Sequence, residues 1–155
     1  MLQAWVVDGL NKWYFLEDRE LSQSDGFAWI ENALEHIKET SNDSSVISEV
    51  ESDLVEIRNA QSKASKFTKL SRQDFLNLVY EYTIYHNNRN ISIDYRDMDG
   101  TDEQRANAVL SNSNTWKDQF GENYYQPNAK VKRWEAAYLL ANALERNETA
   151  LYASR

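Results

Sequence analysis

The 155-residue chain contains no cysteine. That absence removes disulfides, thiolate zinc sites, iron–sulfur clusters and thiol nucleophiles together, and it withdraws support from oxidative export. Proline occurs once and glycine four times, too little punctuation for the tight turns of a many-stranded sandwich or barrel. Helices are the default that remains. Imidazoles are as scarce. His36 and His86 are the two available, and neither stands in an HExxH or Glu-x-x-His pattern, so zincin and di-iron carboxylate sites find no support. His36 follows Glu35 on an acidic helix. His86 ends a tyrosine-rich one, where a cation is favourable without any catalytic part. Four scattered glycines cannot make a phosphate loop, a dinucleotide fingerprint or a nucleophile elbow. No apolar run approaches bilayer length, and the start "MLQAWVVDGLNKWYFLEDRE" lacks the basic leader and apolar stretch of a signal peptide. The expectation is a cytoplasmic chain, or one inside a host cell or virion if phage-encoded, with no membrane, cofactor or metal.

What is present is core material. Hydrophobic residues make up 41% of the chain and aromatics 12%, including five Trp, nine Tyr and five Phe. That is enough to offset ordering entropy in one domain spanning 1–155. The net charge is −8, unevenly placed: residues 1–41 hold eight acids and three bases, residues 129–155 five bases and three acids. An acidic chain repels the phosphate backbone, which disfavours nucleic acid and suits a basic partner.

Periodicity predicts a mainly α fold, a compact bundle of four to five helices with a small β element. Leu2, Trp5, Val6, Leu10 and Trp13 recur at helical spacing. The same stretch also reads as two apolar runs around an Asp8-Gly9 turn, and Gly9 with the β-favouring Trp13, Tyr14 and Phe15 tips it to a hairpin. Ser24 or Asp25 caps a helix to about Glu39 with Phe27, Ile30, Leu34 and Ile37 inward. Ile47, Val50, Leu54 and Ile57 then form the narrow seam of a second helix, continued weakly by Ala64. "LSRQDF" is a strong start: Ser71 caps, Asp74 faces the dipole, and Leu70 can staple against Phe75. This third helix should run from Arg72 to about His86 in a central position. Ile91, Ile93 and Tyr95 alternate as a short strand. A fourth helix follows Gly100 with Ala106, Val109 and Leu110, and a final one follows Asn128 with Val131, Trp134, Ala137, Tyr138, Ala141 and Leu144 inward. No internal repeat or linker is visible.

Three stretches invite a functional reading. "DYRDMDGTDEQR", residues 94–105, opens like a calcium loop, but with Gly100 at position 6 the first and twelfth ligands become Tyr95 and Ala106. Thr101 and Gln104 instead make a capping box, leaving Asp97 and Asp99 as an exposed acidic pair. "AKVKRWEAAY" sets Lys130, Lys132 and Arg133 beside Trp134, a weak footprint for single-stranded nucleic acid, with Trp134 better placed in the core. Trp116, Phe120, Tyr124 and Tyr125 lie in an Asn-rich loop, residues 111–128, as interface anchors or as a cover for one end of the core.

With no catalytic motif, the leading expectation is a non-catalytic protein-binding protein of the immunity or inhibitor kind, acting on a basic partner through Tyr95, Asp97, Asp99, Trp116, Phe120, Tyr124 and Tyr125. The alternatives are a self-associating assembly subunit, as in a phage particle, and an enzyme using paired carboxylates, for which 25 acids make chance pairs inevitable.

Overall fold

The computed structural model describes residues 6–7, 13–14, 18–85, 94–110 and 124–153. Five helices lie among them: α1 Gln23–Thr40, α2 Ser44–Ser62, α3 Arg72–Thr83, α4 Gly100–Val109 and α5 Arg133–Ala153. The mainly helical expectation holds. The small β element has no such support. Among the described residues, strand pairing is limited to Val6–Val7 with Trp13–Tyr14, two residues each, too short to make a sheet, and the remaining antiparallel pairings are isolated bridges. The Asp8-Gly9 turn and residues 91–93 fall outside the described residues, and Asp94 and Tyr95 belong to no strand.

α1 and α2 form an antiparallel hairpin and make the most extensive helix contact, while α3 packs on α1, α4 and α5, the central place its broad apolar face predicts. The buried seam of α2 is Val46, Val50, Leu54 and Ile57, with Ile47 only half-buried and the helix ending before Ala64. These side chains join Trp29, Ile30, Leu34, Phe75, Leu76, Val79, Val109, Leu110, Leu139 and Leu140 in one core cluster. Gly26 lets α1 approach the segment before α3. A Cβ there would lie 2.5 Å from Leu70 Cδ1 and 3.8 Å from Phe75 Cδ2, so both members of the expected Leu70–Phe75 staple crowd over it.

Helix starts are where expectation and structure part. Ser71 and Asp74 do form the reciprocal capping box. α1, however, is capped by Ser22, whose Oγ accepts the Asp25 N–H at 3.1 Å, two residues earlier than expected. α5 begins at Arg133, four residues after Ala129. α4 begins at Gly100 with Asp99 as an N-cap that makes no side-chain bond, so the Thr101–Gln104 capping box is not formed. Gly100 has φ +50°, a left-handed value that glycine tolerates at little cost.

The reason for the shifted starts is a ring of backbone hydrogen bonds. Leu21 N–H donates to Val131 O at 3.0 Å, Val131 N–H to Leu70 O at 2.9 Å, and Leu70 N–H to Leu21 O at 3.0 Å. Isolated antiparallel bridges surround it: Ser22 with Lys69, Ser71 with Lys130, and Lys132 with Glu20. Each ring residue sits two positions before a helix, so α1, α3 and α5 leave one junction in a repeating pattern. The repeat is written in the sequence as ELSQSD, KLSRQD and KVKRWE, too short and too degenerate to register as one. Extended backbone at Glu20–Ser22 and Lys130–Lys132 is what postpones or caps the helices there.

The buried face of α5 is also rotated from the expected one. Ala136, Leu139, Leu140, Ala143 and Leu144 are buried, with Trp134, Ala137 and Tyr138 partly so and Ala141 exposed. The small-and-Leu stripe fits against α3 more closely than a Trp/Tyr stripe can, because short side chains permit close helix approach.

Candidate functional site

The residues nominated from sequence divide sharply. Tyr95 and Tyr125 are 2% and 0% exposed and meet edge to face, ring centroids 5.9 Å apart. Burial, ahead of the neighbouring Tyr95, pushes the Tyr125 phenol well above its ordinary range. Asp97 turns to the backbone of the same region, its carboxylate accepting Tyr125 N–H at 2.9 Å and Gln126 N–H at 2.7 Å. Asp99 and Tyr124 are exposed. Trp116 and Phe120 lie outside the described residues. Asp97 and Asp99 are thus no free acidic pair, since one of them secures the 124–128 turn. Asp94 and Asp99 lie close enough to help burial raise the Glu103 carboxyl. Among the described residues no group of three or more His, Cys, Asp or Glu could hold a metal ion.

Behind Asp97 is a buried polar network that sequence reasoning missed. Arg72, first residue of α3, and Glu135, third residue of α5, pair with side-chain exposures of 4% and 0%. Arg72 Nε donates to Glu135 Oε2 at 2.9 Å, and Nη2 donates to the same oxygen. Nη1 reaches Gln126 O at 3.4 Å, while Glu135 Oε1 accepts the Lys132 N–H at 2.8 Å. Gln126 itself has φ 57°, a strained conformation for a non-glycine residue. Asp97 on its N–H and Arg72 on its carbonyl hold it there. A matching arrangement ties α5 to α1: Arg133, also first in its helix, lies 4.8 Å over the Trp29 ring and 3.5 Å from Asp25 Oδ2. Arg133 is therefore spent in the core and unavailable to a nucleic-acid footprint. At the third corner, Gln23 accepts from Ser65 N–H instead. The available signal was a charged residue, Glu135, on the stripe shared by Ala136, Leu139 and Asn142.

Outside the core the charges separate by position. Residues 31–56, most of the α1–α2 hairpin, carry eight acids and one lysine. Arg58 answers Glu31 and Glu35, and Lys38 answers Glu51 at 3.7 Å, while Tyr82 and Tyr85 donate their hydroxyls to Glu56 and Asp53, each at 2.6 Å. Glu39 and Glu49 remain exposed. Residues 57–73 hold five bases and no acid. They occupy the ring end of the molecule, where Ser24 N–H donates to Ser65 O and Gln23 N–H to Thr68 O. The α1–α2 turn lies about 27 Å away, the length of an 18-residue helix.

No described helix is long and apolar enough to cross a membrane. Comparison with protein families, with curated proteins and with solved structures finds no match to the chain.

Proposed function

We propose that the chain is one α-rich domain that works by contacting another protein inside the cell, offering the acidic α1–α2 hairpin to a basic surface. The observation that supports this reading is the eight-to-one excess of acids over lysine in residues 31–56. It is carried on two helices whose apolar seams are buried against each other and the core, and Glu39 and Glu49 stand exposed on the outer face. Electrostatic complementarity of this kind speeds encounter and selects partners. An immunity or inhibitor protein that occupies its target's basic site is the form of this function that the charge suits best.

The test is affinity capture from the producing cells with wild-type chain and with a Glu39→Gln, Glu49→Gln, Glu51→Gln variant. A partner held by the wild type and released by the variant, and released by about 0.5 M salt, is the expected result. Equal capture by both chains, unchanged by salt, overturns it. A second reading, an assembly subunit, is favoured by the separation of acidic hairpin from basic pole.

A further inference from the structure

The loop between α2 and α3 presents Phe67 to solvent at 91% exposure. The ring is carried on a built loop. Ser65 Oγ accepts both Phe67 N–H at 3.1 Å and Thr68 N–H at 2.9 Å, and Ser65 is itself tied to Gln23 and Ser24 of α1. These bonds fix the backbone beneath the ring. Lys63, Lys66 and Lys69 flank it in sequence, and Lys130 crosses from the neighbouring ring segment, its Nζ 3.4 Å from Lys69 O. Among the described residues none of these four ammonium groups enters an ion pair. An exposed aromatic among lysines suits a protein contact with an acidic surface.

We propose that this Phe67 pole docks on the acidic α1–α2 hairpin of a second copy, joining molecules head to tail. The inference rests on reading the hairpin as a docking face. A polynucleotide or an anionic membrane spreads negative charge over an area wider than the pole and so also meets a body of net charge −8, which repels it. A second copy offers acid locally, and its own basic pole lies at the far end of the hairpin's length. Because two different patches meet, the contact is heterologous and propagates into a ring or filament until a hairpin is occupied by something else. A basic partner and a second copy compete for one face.

Light scattering and sedimentation of the whole chain at low ionic strength test this. Wild type should show a mass that rises with concentration above 18.1 kDa and returns to it near 0.5 M salt, where the screening length shrinks to about 4 Å. A pole variant, Lys63→Gln, Lys66→Gln, Lys69→Gln with Phe67→Ser, should stay monomeric. A hairpin variant, Glu39→Gln, Glu49→Gln, Glu51→Gln, should stay monomeric as well. Mixed, the two should form a one-to-one pair and stop, because one intact pole and one intact hairpin remain between them. These positions are exposed except Lys69, which is half-buried, and unchanged circular dichroism confirms the fold. A wild-type monomer at every concentration overturns the proposal, as does association by either variant alone. So does a monomer whose pole binds phosphatidylserine vesicles or a single-stranded oligonucleotide. Partner capture that survives in the pole variant separates failure here from failure of the hairpin reading.

Discussion

At Arg72 a guanidinium sits in the core with a carboxylate, and the pair is tolerated because nearly every donor and acceptor is answered: by Glu135, by the Gln126 carbonyl and by the Lys132 N–H. Such a pair is weak evidence for stability in itself, since desolvation offsets much of the attraction. Removing one member is another matter. Arg72→Met should lower unfolding stability in urea by about 3–5 kcal/mol, because it strands the Glu135 carboxylate. Arg72→Lys should fall between, as one ammonium cannot serve Glu135 and Gln126 from a planar fork. The charge of Glu135 on the α5 stripe was the one local sign, and nothing local pointed to Arg72 as its partner. Arg72 and Glu135 each look like ordinary first-turn residues, and they lie 63 positions apart. Tyr95 and Tyr125 could be read as contact or core for a related reason: tyrosine suits a surface as well as a core, and only the partner across the fold decides.

Among the elements, what could be read was what is decided within a few residues. The Ser71–Asp74 box depends on neighbours alone and appears as expected, and the α2 seam keeps Val50, Leu54 and Ile57 while Val46 takes the buried place expected of Ile47. Ser71→Ala should cost about 1 kcal/mol, measured by chemical denaturation, by leaving first-turn N–H groups of α3 unanswered. The starts of α1 and α5 could not be read, because Glu20–Ser22 and Lys130–Lys132 are extended only by virtue of pairing with each other and with Lys69–Ser71. The far end of α3 is fastened to α2 by two phenols. Burial first, and then the hydrogen bond to Glu56, raises the Tyr82 hydroxyl far above its usual pKa; burial and then Asp53 do the same at Tyr85. The unfolded chain deprotonates these groups near pH 10 while the folded one keeps its protons, so folding binds protons and stability must fall as pH rises. Their contribution is therefore complete below about pH 10 and lost above it. A thermal melt series should show Tyr82→Phe and Tyr85→Phe flattening that alkaline decline.

For the molecule as a whole, counting charges along the chain in blocks gave an acidic beginning and a mildly basic end. The folded arrangement sorts them differently, into an acidic hairpin and a lysine pole set by residues 57–73. The run of five bases without an acid was there to be seen. Its meaning came only when the ring drew residues 63–69 and 130 to one place.

That ring also has a consequence in time. Leu21, Leu70 and Val131 are 0%, 6% and 0% exposed and come from widely separated parts of the chain, so their pairing needs long loops closed at an entropic cost. With any one of the three segments absent, each of the other two loses a partner. Partial closure therefore stabilises little. Hydrogen exchange should show the amides of Leu21, Leu70 and Val131 opening together, with a protection equal to that of global unfolding. Staggered exchange among the three would mean that the junction breathes one segment at a time. As built, the helix starts of α1, α3 and α5 lock and release as a set.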